Sequence, residues 1–550
     1  MPITRRQFLK RSTALALAGA SAPLWLEAQS CADKGTLGPF QPTWESLAAY
    51  RCPDWFRDAK FGIWAHWSAQ CVPEQGDWYA RLMYMPSEAD YKYHCEHYGH
   101  PSKFGFKDID HIWRAQNWDP HHLIELYKAA GAKYMVSLAN HHDNFDTFDS
   151  TYQPWNSVRI GPKKDIIGTW AKAARGAGLH FGVSVHASHA WNWFEVAQGA
   201  DTSGPYTGVP YDGKLTKADG KGLWWEGLDP QDLYAQNHTP GNGLAWEWKP
   251  GQADVPDQAY IEKYYNRITE LIDKYHPDLV CFDDTVMPFN DISDVGLRLT
   301  AHLYNESIRR HGRLEAVVNT KGLTSDDQRR CLVGDIERGG NSKIATLPWQ
   351  TESCIGQWHY ARWLYDRHAY KTPETVVHML VDTVSKNGNL LLSIPVRGDG
   401  TIDPDEVAFL QGMAAWIAVN GEAIYGTRPW TVFGEGPTKP RAGGFSEGRP
   451  IVYTPHDFRF TTKRNTLYAF AMAWPDRGSV AIQTLAAGAP GIAGDIKQVR
   501  LLGAEDNLPF ERTSQGLVVV FPNRKPCEHA YGLEISGLDL AASKPVSGSS

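Results

Sequence analysis

Leu279-Val280-Cys281-Phe282-Asp283-Asp284 is the stretch that decides how this 550-residue chain is read. Four apolar residues in unbroken succession suit a strand buried on both faces, as strands of a parallel sheet are. Two carboxylates follow where the run stops, which puts charge at the strand's C-terminal end. A helical pattern over residues 259–274 leads into it. The same construction recurs outward in both directions. Phe61-Gly62-Ile63-Trp64-Ala65 ends at His66-Trp67, residues 133–140 end at His141-His142-Asp143, and residues 180–185 end at His186. Further strands are expected at 278–282, 316–319, 331–336, 355–359 and 389–394. Asp119-Pro120 opens one intervening helix and Gly131 closes it; another covers 165–175, and Asp403 with Glu406 has the spacing of a capping box.

Eight strands alternating with helices imply parallel βαβ units, and eight favour closure into a (β/α)8-like TIM barrel of the α/β class. An Asp-, Gly- and Pro-rich insertion interrupts the alternation at about 187–254, longer than a plain connection needs. After residue 422 the pattern changes to short β-rich runs at 466–472, 480–484 and 516–521, separated by Gly and Pro turns. The expected organisation is a leader over 1–30, a barrel over 31–425, a small antiparallel β-sandwich-like domain over 426–540 and a disordered tail over 541–550.

Thr4-Arg5-Arg6-Gln7-Phe8-Leu9-Lys10 precedes an apolar run over 14–26, the pattern of a twin-arginine export signal. The expected location is periplasmic or secreted, with lipid attachment at Cys31 as the alternative. That apolar run is shorter than the ~20 residues of a spanning helix, and no transmembrane segment is expected elsewhere. Net charge is −7; removing residues 1–30 takes away four cations and one anion and leaves −10. Such a surface excludes nucleic acid and anionic membranes as natural partners. Eight cysteines without a CxxC pair give no zinc or redox motif, and no disulfide is assigned. Oligomeric state is not legible.

In a parallel barrel the C-terminal strand ends converge on one face. Here they bring His66, His141-His142-Asp143, His186, Asp283-Asp284 and Asp335-Ile336-Glu337 to one rim. Hydrolysis of a glycosidic bond needs two carboxyl groups in opposed roles, about 5–5.5 Å apart when configuration is retained. Asp283, emerging from the apolar run, is the candidate nucleophile, with Asp284 second. Glu337 is the candidate acid/base, with Glu352 the alternative. Neutral histidines at 66, 141 and 142 can donate to sugar hydroxyls. His141 and His142 can share one spot only if the strand ends before them. A metal-dependent barrel hydrolase is the rival, with His186 and His189 as its ligands; the expectation is no metal and no cofactor.

Phe61-Gly62-Ile63-Trp64-Ala65-His66-Trp67, Gly76-Asp77-Trp78-Tyr79, Ala139-Asn140-His141-His142-Asp143-Asn144-Phe145 and Pro277 through Asp283 together resemble the family 29 glycoside hydrolases, the α-L-fucosidases. So do Asn387-Gly388-Asn389-Leu390-Leu391-Leu392-Ser393-Ile394, Asp399-Gly400-Thr401-Ile402 and Asn420-Gly421-Glu422-Ala423-Ile424-Tyr425-Gly426-Thr427-Arg428, in order across about 40–435. The resemblance implies a retaining exo-glycosidase acting on terminal α-L-fucosyl residues of oligosaccharides or glycans through a covalent fucosyl–enzyme ester on Asp283. It places His66, His141 and His142 on the sugar's hydroxyls and Trp78 on an aromatic wall, with Asp77 where the family usually has Glu. Cys281 stands where Trp is common, Ser184 where Tyr is usual and Gln350 where Glu is common. A related α-L-sugar such as an α-L-galactoside, which adds one hydroxyl at C6, is the alternative substrate. The insertion is expected on the leaving-group side.

Overall fold

The computed structural model describes residues 38–241, 248, 254–448, 450–475 and 478–542. The leader, Cys31 and most of the expected tail lie outside them. Eight parallel strands close into a barrel in sequence order: β1 (Phe61–Ala65), β2 (Tyr134–Asn140), β3 (His180–Val185), β4 (Leu279–Thr285), β5 (Val317–Lys321), β6 (Val333–Glu337), β7 (Trp349–Cys354) and β8 (Gly388–Ser393), with β8 pairing back to β1. Strands β1, β2, β7 and β8 are buried along their whole length, because side chains fill the interior on one face and outer helices cover the other.

The helices start where their caps allow. Asp119 accepts from the His122 N–H and opens Pro120–Ala129; Asp165 accepts from Gly168 and opens Ile166–Gly176. Gly131, at φ +106°, takes the left-handed turn that ends the first of these. Asp257 caps Gln258–Tyr275, and Asp403 and Glu406 form a reciprocal capping box on Pro404–Asn420.

The seventh strand is not where the sequence pattern placed it. The expected strand covers 355–359, but β7 is the polar run Trp349-Gln350-Thr351-Glu352-Ser353-Cys354. Its polar side chains are tolerated because the interior supplies partners: the Tyr134 hydroxyl donates to Gln350, and Thr351 donates to the Ile336 carbonyl. Residues 355–359 form the turn beyond the strand. The fifth strand also runs further than the 316–319 expected, ending at Lys321.

Beyond the barrel, β9 (Arg428–Glu435), β10 (Phe458–Lys463), β11 (Thr466–Ala471), β13 (Gly494–Leu501) and β16 (Tyr531–Leu538) make a five-stranded antiparallel sheet ordered β13-β16-β11-β10-β9. A second sheet, ordered β12-β15-β14, is built from Ser479–Ile482, Gly516–Val520 and Phe510–Thr513. Trp430, Phe460, Leu501 and Ile535 belong to an apolar core of their own. Arg459 ties this unit to the barrel helix Pro373–Ser385 through Asp382 at 2.6 Å.

The loop after β2 is fastened from below. Arg267, on Gln258–Tyr275, bonds Asp146 at 2.6 Å and 3.1 Å and donates to the Asn144 side chain at 2.6 Å. Both Arg267 and Asp146 are completely enclosed. An Arg267→Met substitution leaves Asp146 buried without its counter-charge and should lower unfolding stability by about 3–5 kcal/mol. Chemical denaturation measures this; an unchanged midpoint would mean the pair does not hold the loop.

Candidate functional site

The C-terminal strand ends meet as the barrel geometry requires, and the carboxylates are organised by a lysine. Lys321, the last residue of β5, places its Nζ 2.5 Å from Asp283 Oδ1, 2.5 Å from Glu337 Oε2 and 2.6 Å from Glu352 Oε1. One carboxylate oxygen from each of Asp283, Glu337 and Glu352 lies within 4.8 Å of the other two. One ammonium therefore occupies the position from which a cation touches all three.

These contacts drive the carboxyls apart in acidity. Burial alone would raise Asp283, but Lys321, His186 and hydrogen bonds from His142 and His186 outweigh it and hold its carboxyl well below the usual range. Burial pushes Glu337 up to about 7, because the lowering by Lys321 is opposed by the neighbouring Glu352 and Asp283. Glu352 is pushed well above its usual value, by burial first and then by Asp335. Near neutral pH the site thus holds an ionised carboxylate facing a protonatable carboxyl, the combination that nucleophile and acid chemistry requires. Glu337 is 17% exposed and Glu352 only 1%, so Glu337 is the one within reach of a substrate.

Asp283 and Asp284 point to different partners. Asp283 Oδ2 accepts from His186 Nδ1 at 2.9 Å and lies 3.5 Å from His142 Nε2. Asp284 turns to Ser188 at 2.7 Å and His189 at 3.2 Å. His186 and His189, the proposed metal pair, therefore serve separate carboxylates. Other donor groups do converge: His66, His141 and His359 form one cluster, and His141, His142 and His186 another.

Strand β2 ends at Asn140, which frees His141 and His142 to face one place with ring centres 4.3 Å apart. The Ala80 N–H donates to the Gln70 side-chain oxygen, so the Gln70 amide nitrogen faces His141 Nδ1 at 2.8 Å and Asp143 at 3.0 Å. His141 accordingly carries its proton on Nε2. Burial, reinforced by neighbouring imidazoles, holds His66 and His141 well below the ordinary histidine value, and His142 is lowered to about 4. All three are neutral rings. Both nitrogens of His66 and Nε2 of His186 are buried without a hydrogen-bond partner, which suits groups waiting for a polar ligand.

Asp77 accepts from the His359 backbone N–H at 2.7 Å, and Trp78, at φ +65°, stands edge-on to His142 with ring centres 6.4 Å apart. The structure thus brings together His66, Asp77, Trp78, His141, His142, His186, Asp283 and Glu337. It also adds residues the sequence reading missed. His359 packs 4.5 Å from the ring of His66 and Trp358 lies 5.8 Å from it, both on the turn taken for a strand. Lys321 was missed because the fifth strand was ended two residues early; a polar residue at a barrel strand's C-terminal end was the available signal. The start of the insertion, through Ser188 and His189, reaches the Asp283–Asp284 side.

Replacing Lys321 by Gln tests the arrangement directly. With Lys321 present, ionisation of Asp283 stabilises the fold above its unfolded value, a contribution lost as pH falls through the depressed folded value. Without it, burial raises Asp283 and ionisation opposes folding. The loss of thermal stability in Lys321→Gln should therefore be larger at about pH 7 than at about pH 4. An equal loss at both would refute the charge argument.

Known proteins resemble this chain over most of its length. The α-L-fucosidase family model matches residues 27–422, and an α-L-fucosidase C-terminal domain model matches residues 452–536. An α-L-fucosidase of Branchiostoma floridae is 26% identical over 91% of this chain and 96% of its own length. The human plasma α-L-fucosidase is 27% identical over 91% of this chain and 93% of its own. The crystal structure of Thermotoga maritima α-fucosidase with a mechanism based inhibitor superimposes with a TM-score of 0.66 at 26% identity, covering 90% of this chain and 99% of that one.

Proposed function

The chain belongs to the α-L-fucosidase family and is a glycoside hydrolase, and we propose that it is a retaining exo-glycosidase that removes terminal α-L-fucosyl residues from oligosaccharides or glycans. The observation that carries the retaining reading is the oppositely shifted pair Asp283 and Glu337, with oxygens within 4.8 Å. A carboxyl pair this close falls on the retaining side of the two separations, in which the carboxylate attacks directly.

In the first step Asp283 attacks the anomeric carbon while Glu337 gives its proton to the departing glycosidic oxygen. The C–O bond to the leaving group breaks as the fucosyl ester forms. Asp283 is then neutral, so its charge no longer raises Glu337, and Lys321 is left with one fewer competing anion. Both changes lower Glu337's affinity for a proton, which suits it to take one from water in the second step. The water oxygen bonds to the anomeric carbon, the ester breaks and Asp283 returns as carboxylate. Neutral His66 and His141 donate to the sugar's hydroxyls, His142, whose one N–H is held by the His186 carbonyl, can accept from one through Nε2, and Trp78 supplies a wall. Export through the Arg5-Arg6 leader belongs to the same proposal and rests on sequence. No helix among the described residues is long and apolar enough to cross a membrane.

Hydrolysis of 4-nitrophenyl α-L-fucoside tests the assignment. Asp283→Ala should lower kcat on the order of 10⁴-fold or more, and added azide should restore turnover as a β-fucosyl azide. An unimpaired variant would refute the mechanism, and preference for the matching α-L-galactoside would refute the sugar. Chelator should leave the rate unchanged; loss of activity would favour the metal-dependent alternative.

The pH profile separates the two glutamates. Because Glu337 must be protonated to act as acid, kcat/KM should fall as pH rises through about 7. Glu337→Gln should abolish that limb and Glu352→Gln should keep it. The reverse result would make Glu352 the acid/base.

A further inference from the structure

We infer that Phe445, on the loop joining β9 to β10, is the platform against which the leaving-group portion of the substrate packs, so that the C-terminal unit contributes a specificity-determining residue to the barrel's site. The inference rests on Glu337 as the acid. That acid must lie beside the glycosidic oxygen, and the leaving group therefore extends from the sugar on the Glu337 side.

The stretch over 436–448 of that loop is fixed to that side. Gly443 and Gly340 exchange backbone hydrogen bonds at 2.8 Å and 3.3 Å. The Phe445 N–H donates to the carbonyl of Glu337 itself at 2.7 Å, and the Glu447 N–H donates to Arg338 at 2.9 Å. The Glu447 carboxylate then bonds Lys371 at 2.8 Å and reaches Arg338 at 3.4 Å. Approach is so close that a Cβ at Gly339 would lie 1.8 Å from the Gly443 carbonyl oxygen.

Within this clamp Phe445 has φ +51°, a left-handed conformation that bulky residues rarely adopt. Its side chain nevertheless gains no burial from the strain: it is 71% exposed, the most exposed large aromatic among the described residues. A single exposed apolar residue needs no explanation in general. An aromatic held in a strained conformation, one hydrogen bond from the acid's own backbone and open to solvent, is placed to receive a ligand. The apolar face of a pyranose or an aryl ring is the chemistry it would take.

The test compares two substrates of the full-length enzyme. α-L-Fucosyl fluoride departs as fluoride and offers Phe445 nothing to stack on, whereas a fucosylated disaccharide does. Phe445→Ala should lower kcat/KM for the disaccharide about 10-fold, chiefly through KM, and change the fluoride by less than about twofold. Phe445→Tyr should restore the disaccharide. Equal losses on both substrates, or no loss on either while the wild type cleaves both, would overturn this inference alone. A wild type that cleaves neither would overturn the fucosidase reading and this inference with it.

Discussion

The ammonium of Lys321, shared among Asp283, Glu337 and Glu352, is the contact on which the site depends. Three carboxyls brought this close and largely removed from water cannot all stay ionised, because each desolvated charge costs several kcal/mol before repulsion is added. One interior cation resolves the conflict unequally. It favours ionisation most at Asp283, which histidines also support, and leaves Glu337 and Glu352 to hold protons. Side chains of the same chemical kind are thereby set apart by their surroundings.

That division requires rigid placement, and the barrel supplies it through strands rather than loops. Asp283 and Lys321 lie on β4 and β5, and Glu337 and Glu352 pair across β6 and β7. The histidines of the rim lie just past strand ends and depend on a second tier of bonds. Gln70 sets the tautomer of His141, and the enclosed Arg267–Asp146 pair holds the loop that follows it. The C-terminal sheets reach the same rim through a loop bonded to Glu337's own backbone.

Much of this was legible in the chain. Apolar runs that stop at polar residues mark parallel strands and the rim at once, and Asp283, His66 and His141-His142 stand where such runs stop. Strand β7 was not legible, because its Gln-Thr-Glu-Ser interior is polar and only partners from Tyr134, Ile336 and Lys321 make its burial tolerable. The error carried His359 and Trp358 out of view, since a turn was read as a strand.

By itself the sequence determined the order of strands and helices, the rim on which chemistry would gather and the family resemblance, because periodicity and strand-end composition are local properties. Only the tertiary structure decided which carboxyl is ionised, which is protonated and which cation stands between them. Those outcomes depend on distances between residues 283, 321, 337 and 352, which lie on four strands, and the Coulombic terms among them exist only once the barrel has closed.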